Sequence, residues 1–115
     1  MNSKTIGNKG ENLALEFLLN KGYNYIERNF STRTGEVDLI LQDNEYLVFV
    51  EVKLRKNTKF GYPRDFVTLN KQNKIISTAE SFIQINNLYD FQPRFDIVEI
   101  IEDENIIEHI INAFP

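Results

Sequence analysis

Residues 46–54 read YLVFVEVKL, and this stretch decides the fold. Side chains alternate along an extended chain, so Val48, Val50 and Val52 project to one face while Leu47, Phe49, Glu51 and Lys53 project to the other. Apolar side chains on both faces describe a strand in the interior of a sheet. In such surroundings a lone carboxylate or ammonium is expensive unless it is paired or bound to a metal. Glu51 and Lys53 therefore need partners.

The preceding segment proposes one. EVDLIL (36–41) reads as the strand before, with Asp43 and Asn44 as the turn between them. If that turn is a two-residue loop, Gln42 pairs with Glu45, Asp38 lies opposite Phe49 and Glu36 lies opposite Glu51. Asp38 then shares a face with Glu51 and Lys53 and is a diagonal neighbour of Glu51, at a Cβ separation of about 7 Å that one cation bridges. A loop of odd length, without a compensating bulge, sends Asp38 to the opposite face.

Farther out, Ile6, Leu13, Ala14, Phe17 and Leu18 recur at helical spacing, with Ser3 as a start signal and Gly22 as a stop, which predicts a helix over 3–21. YNYIERNF (23–30) reads as a strand. Arg55 to Asp65, with Asn57, Gly61 and Pro63, reads as a loop. A second helix is expected over 68–86, burying Ile76, Ala79, Phe82 and Ile83, then a strand over RFDIVEII (94–101). The closing HIINAF is of open type. The strand, helix and strand from 46 to 101 fit one right-handed crossover between parallel strands. The expected fold is α/β, a single domain over 1–115 with a mixed central sheet in the order α-β-β-β-α-β, flanked by helices.

Composition bounds the function. The chain has 115 residues, 42% hydrophobic and 26% charged, which suits one soluble domain, and no apolar run is long enough to span a bilayer. There is no cysteine and no secretory signal, so the cytoplasm is the expected location. The net charge of -4 argues against indiscriminate coating of nucleic acid. The charge is unevenly spread, however. Lys53, Arg55, Lys56, Lys59, Arg64, Lys71 and Lys74 stand against Asp65 alone between 53 and 74, whereas Asp96, Glu99, Glu102, Asp103, Glu104 and Glu108 stand without a basic residue between 96 and 108. This fits a basic face for a polyanion, and equally two solvated surfaces of opposite sign.

Glu11 shares the i, i+3, i+4, i+7 stripe of the first helix with Ala14, Leu15 and Leu18 and so faces inward, while Glu16 is read as solvated. Gly7 and Gly10 either admit close backbone approach or loosen the first turn. Carboxylates gathered with a lysine suit metal-assisted hydrolysis of a phosphodiester, with Mg²⁺ or Mn²⁺ held by oxygen ligands. Beside two carboxylates Lys53 is expected to keep its proton and to act electrostatically.

Asp38 followed by Glu51-Val52-Lys53 resembles the PD-(D/E)xK nuclease signature, with Val37 where the formal pattern has Pro. The wider set GNKGENLALEFLLNKGY, RNFSTRTGEVDLI, LVFVEVKLR, FGYP, RFDIVEI and the terminal NAF resembles the YraN family of small bacterial proteins across nearly the whole chain. That family is similar to archaeal Holliday junction resolvases. The resemblance implies a restriction-endonuclease-like three-layer fold, with catalytic roles for Glu11, Asp38, Glu51 and Lys53 and metal ligation by the three carboxylates. It further implies action on structured or branched DNA, with DNA favoured over RNA, and a homodimer would supply two active sites.

Other readings stand beside this one. Asp38, Glu51 and Lys53 also fit a buried ion-pair cluster, and Glu11 a carboxylate near a helix dipole. Glu36 is either a neighbour supporting the site or a strand-edge charge. Arg28, Arg33, Arg55, Lys56, Lys59 and Lys71 are phosphate contacts or solvated charges, and Tyr62 stacks on a base or pins its loop. His109, with no cysteine beside it, does not suggest zinc. A nucleic-acid-binding module that does not cut, or a protein-interaction subunit, remains an alternative to the nuclease.

Overall fold

The molecule was analysed as a computed structural model that describes residues 9–59, 61 and 67–115. The expectations for Ser3, Ile6 and Gly7, and for Tyr62, Pro63, Arg64 and Asp65, lie outside those residues.

The first helix, α1 (Lys9–Asn20), buries Gly10, Ala14 and Leu18. It stops where Gly22 takes φ 95°, a conformation open to a residue without Cβ, with Tyr23 N–H donating to the Leu18 carbonyl at 3.2 Å. Three antiparallel strands follow, β1 (Asn24–Thr32), β2 (Gly35–Asp43) and β3 (Tyr46–Arg55). The second helix, α2 (Leu69–Asn86), is capped by the Thr68 side chain, which accepts from Lys71 N–H, and ends at Asn87 in the left-handed region. Its buried stripe is Ile75, Thr78, Ala79 and Phe82. The expected Ile76 and Ile83 are only partly covered, because they flank the stripe and do not lie on it.

After α2 the chain forms β4 (Gln92–Ile101), parallel to β3 as the crossover predicts, with Glu51 beside Ile97 and Lys53 beside Glu99. The terminal residues then form β5 (Ile106–Phe114), antiparallel to β4. The expected order thus gains a final strand. Ile107, Ile110, Ile111 and Phe114 stand at i, i+3, i+4 and i+7, a spacing a helix would also satisfy, and pairing with β4 makes the segment a strand. The sheet runs β1-β2-β3-β4-β5.

Both faces of the sheet are covered. Val37, Ile40, Leu47, Phe49 and Phe95 pack with Ile75 and Phe82 of α2, while Leu39, Leu41, Val48, Val50 and Val98 pack with Ala14 and Leu18 of α1. The result is an α/β domain of three layers. No helix among the described residues is long and apolar enough to cross a membrane.

Candidate functional site

The β2–β3 turn is the first determinant of the site. Asp43 pairs with Tyr46, Gln42 with Leu47 and Leu39 with Val50, so the two-residue loop is Asn44-Glu45, with Asn44 at φ 55°. The expected pairing of Gln42 with Glu45 is corrected by two residues, since Asn tolerates the left-handed turn position and Asp43 stays in the ladder. Parity survives this shift. One further step along the ladder would set Asp38 opposite Glu51, not Phe49, and Glu36 is no longer the partner of Glu51.

Asp38 lies where alternation reverses. Leu39 belongs to the α1 side of the core and Val37 to the α2 side, although residues two apart on a regular strand share a face. The facing strand reverses too, for Arg28 reaches α1 while Phe30 packs edge-on against Phe82 of α2, with Asn29 between them at φ 55°. Regular β2–β3 pairing ends at Leu39 and Val50. Beyond it the Asp38 carboxylate reaches sideways and accepts the Val52 backbone N–H at 2.8 Å. A side chain thus takes a donor that a continued ladder would have occupied.

The opening between β2 and α2 is a cleft of about 320 Å³, lined among others by Gly35, Glu36, Asp38, Glu51, Lys71 and Lys74. Gly35 keeps the hairpin close to α2, since a Cβ there would lie 3.3 Å from the Lys74 carbonyl oxygen. Glu51 is 4% exposed, and its Oε1 takes Lys71 Nζ at 3.0 Å and Lys53 Nζ at 3.4 Å. Among the described residues no ammonium pairs with Asp38. Burial, then the charge of Glu51, with Glu11 and Glu36 adding, push its carboxyl up to about 7 against the pull of the Val52 N–H.

Lys53 departs from expectation. Burial, aided by the neighbouring Lys71, outweighs the charge of Glu51 and lowers its pKa. Opposite charge was expected to dominate, but burial outweighs it and the adjacent second ammonium adds to burial. Lys71 itself is raised, because the bond and charge of Glu51 overcome its own burial.

Glu11 stands apart on α1, with its Oε1 3.3 Å from Arg28 Nη2. Gly10 admits α1 to within 3.1 Å of Leu54 Cβ, measured from an ideal Cβ, so close approach is its role. Asp38 and Glu51 therefore meet in one cleft, which Glu11 does not line although its charge is felt at Asp38. Among the described residues, no three Asp, Glu, His or Cys side chains gather closely enough to hold a metal ion. Arg28 is committed to Glu11 and Asn12, whereas Arg33, Arg55, Lys56 and Lys59 are exposed. Glu36 and Glu16 are exposed.

The acidic stretch is not one solvated surface. Asp96 and Glu99 are fully buried. Glu99 stands beside Lys53 in the parallel register and was missed as a neighbour of the site. The alternation of RFDIVEII, set in parallel with that of YLVFVEVKL, carries that signal.

Asp96 heads a second charged cluster on the α1 side. It accepts from Arg94, from the backbone of Asn112 and, through its Oδ2, pairs with His109 Nε2 at 2.7 Å. Arg94 also donates to Asp43 and to the Tyr23 hydroxyl, and lies over the rings of Tyr23 and Tyr46. A larger groove of about 540 Å³ adjoins Arg94, Tyr46 and Asn112. Arg94 is already satisfied there, whereas the smaller cleft holds a carboxyl displaced from its ordinary value, which makes the smaller cleft the candidate site.

Comparison with known proteins agrees over nearly the whole length. The model of "Uncharacterised protein family UPF0102" matches residues 10–100. A UPF0102 protein of Caldanaerobacter subterraneus is 42% identical over 99% of this chain and 98% of its own. One from Clostridioides difficile is 44% identical over 99% of this chain and 100% of its own. Another, from Persephonella marina, is 44% identical over 94% and 91%.

Proposed function

The chain belongs to the uncharacterised protein family UPF0102, the YraN family that its motifs resemble, and from that premise we propose that it is a metal-dependent nuclease of restriction-endonuclease-like fold acting on structured or branched DNA. One observation carries the reading. Asp38 and Glu51 share a cleft in which burial and Glu51 push Asp38 up to about 7, and among the described residues the ammoniums of Lys53 and Lys71 both pair with Glu51 and none pairs with Asp38.

That deficit is the test of fit for a divalent cation. Mg²⁺ is commonly held by one or two carboxylates, with water and substrate phosphate completing the shell. Asp38 and Glu51 suit it, and Mn²⁺ equally, as hard oxygen donors. Glu11 would join them only by releasing Arg28. A bound divalent cation supplies Lewis-acid polarisation of the phosphate and a more acidic water.

The residues of the chain do the rest. Asp38 is oriented by the Val52 N–H, which holds one oxygen at the sheet and leaves the other for the cleft. Lys53, largely buried and fixed by Glu51, would offer its ammonium to charge developing on the scissile phosphate. Its lowered pKa also makes it the readier lysine to hand a proton to a leaving oxygen. Arg33, Arg55, Lys56 and Lys59 would steer and seat the phosphate backbone.

A second reading, a nucleic-acid-binding module that does not cut, is favoured by one fact: two lysines already balance Glu51. Calorimetry with Mn²⁺ on wild type and Asp38→Asn tests the metal site, which is lost as a proposal if both bind alike. Fluorescent duplex, single-stranded, flap and four-way-junction DNA, with RNA alongside, then separates cutting from binding. Junction cleavage that disappears in Lys53→Ala is the expected result. Junctions that bind and stay intact in Mn²⁺ select the second reading. A salt dependence of binding that flattens in Lys56→Ala/Lys59→Ala is expected under either.

A further inference from the structure

Glu51 Oε1 is shared by two ammonium groups of unlike freedom. Lys53 rises from the interior of β3 with 13% of its side chain exposed, whereas Lys71 hangs from the first turn of α2 with 43% exposed. The Lys71 chain enters the same cleft that Asp38 lines. Two ammoniums on one oxygen repel each other, and the more exposed one is the easier to displace. Its four-carbon stem gives it room to swing, and its ammonium is a point charge that serves a carboxylate or a phosphate alike.

We infer that Lys71 is a displaceable counter-ion: it balances Glu51 while no metal is bound, yields that oxygen to a divalent cation, and turns its freed ammonium to a phosphate oxygen of the nucleic acid. This inference rests on the metal reading of the cleft. The exchange is non-covalent, one cation replacing another on Glu51. Its consequence is ordered use of charge, because the cleft gains its mobile phosphate contact only when the metal is in place. By linkage, phosphate binding in turn strengthens metal binding. Lys53, buried against β3, does not take part.

Calorimetry with Mn²⁺ on wild type, Lys71→Met, Lys74→Met and Asp38→Asn tests this, each variant first shown to melt cooperatively. Lys74 lines the same cleft one helical turn on, so its variant reports the loss of a nearby positive charge without loss of the Glu51 contact. Removing the competitor should tighten Mn²⁺ binding about threefold to tenfold in Lys71→Met, and less than about twofold in Lys74→Met. Pulse acetylation read by mass spectrometry should show Lys71 modified faster when Mn²⁺ is added, with Lys74 unchanged.

Equal tightening in both lysine variants means a general field effect and overturns the exchange. So does wild-type affinity in Lys71→Met while Asp38→Asn loses Mn²⁺, and in that case the metal site itself stands. Absence of Mn²⁺ binding in every protein overturns the site and the exchange together. Binding by Lys71→Met alone overturns the exchange, since Lys71 then does not yield to the cation, and leaves the metal site standing.

Discussion

Asp38 and Asp96 are carboxylates carried by strands of one sheet, and their surroundings push them in opposite directions. Burial raises both. At Asp96 the bonds from His109, Arg94 and the Asn112 backbone, with the charge of Arg94, outweigh burial and hold the carboxyl below its usual range. At Asp38 the bond from Val52 N–H is outweighed by burial and by Glu51, and the carboxyl rises to about 7. The second cluster is closed upon itself. In the first, burial and like charge prevail. A satisfied buried network reads as architecture, whereas a buried carboxyl pushed up in a cleft is a candidate site.

The strongest way to break this contrast is at the satisfied end. Asp96→Asn leaves the Arg94 guanidinium without its buried charge partner, and a loss of about 3–5 kcal/mol in urea denaturation is expected. Because Asp96 is held below its usual range, the wild-type contribution is present at neutral pH and is lost as acid brings the solution down through the depressed pKa. A neutral result would mean that the cluster is replaceable packing.

At the other end the sign reverses. The folded pKa of Asp38, about 7, exceeds the ordinary 3.8, so its ionisation costs stability, increasingly as pH rises from 3.8 to 7 and constantly above that. Asp38→Asn keeps an oxygen for the Val52 N–H and should stabilise the protein by up to about 4 kcal/mol at pH 8, with the difference fading near pH 4. Chemical denaturation at the two pH values reads this. Equal stability of the two proteins at pH 8 would remove the deficit on which the site rests.

The smallest effect sharpens the comparison with the intact protein. Mg²⁺ at about ten times its dissociation constant should stabilise wild type by about 1.4 kcal/mol, a melting shift of several degrees, through preferential binding to the folded state. Asp38→Asn should show no shift. Asp96→Asn, if it folds, should respond as wild type does, since its cluster lies on the other face of the sheet.

Much of this was legible in YLVFVEVKL. Its doubly apolar faces announced a central strand, and the conflict of Glu51 and Lys53 with that burial announced that they are paired. The helix ends at Gly22 and Thr68 were legible because capping is local chemistry. The exact turn was not, for Asp43-Asn44 and Asn44-Glu45 are both plausible two-residue loops and only the packing of the whole hairpin chooses between them. The balance at Lys53 was not legible, because burial outweighs the charge of Glu51 there and Lys71 is brought beside it from another element. The Asp96 cluster could not be read at all, since Tyr23, Asp43, Arg94 and His109 are scattered through the chain.

What the sequence determined by itself was the alternation of side chains, the capping of helices and the placing of charged groups among buried ones, all consequences of neighbours in the chain. Tertiary structure decided the register, the reversal that turns Asp38 toward Val52, the company of Lys71 and the terminal strand. Those depend on contacts between distant segments, and the free energy of such contacts belongs to the assembled fold and not to any window of residues.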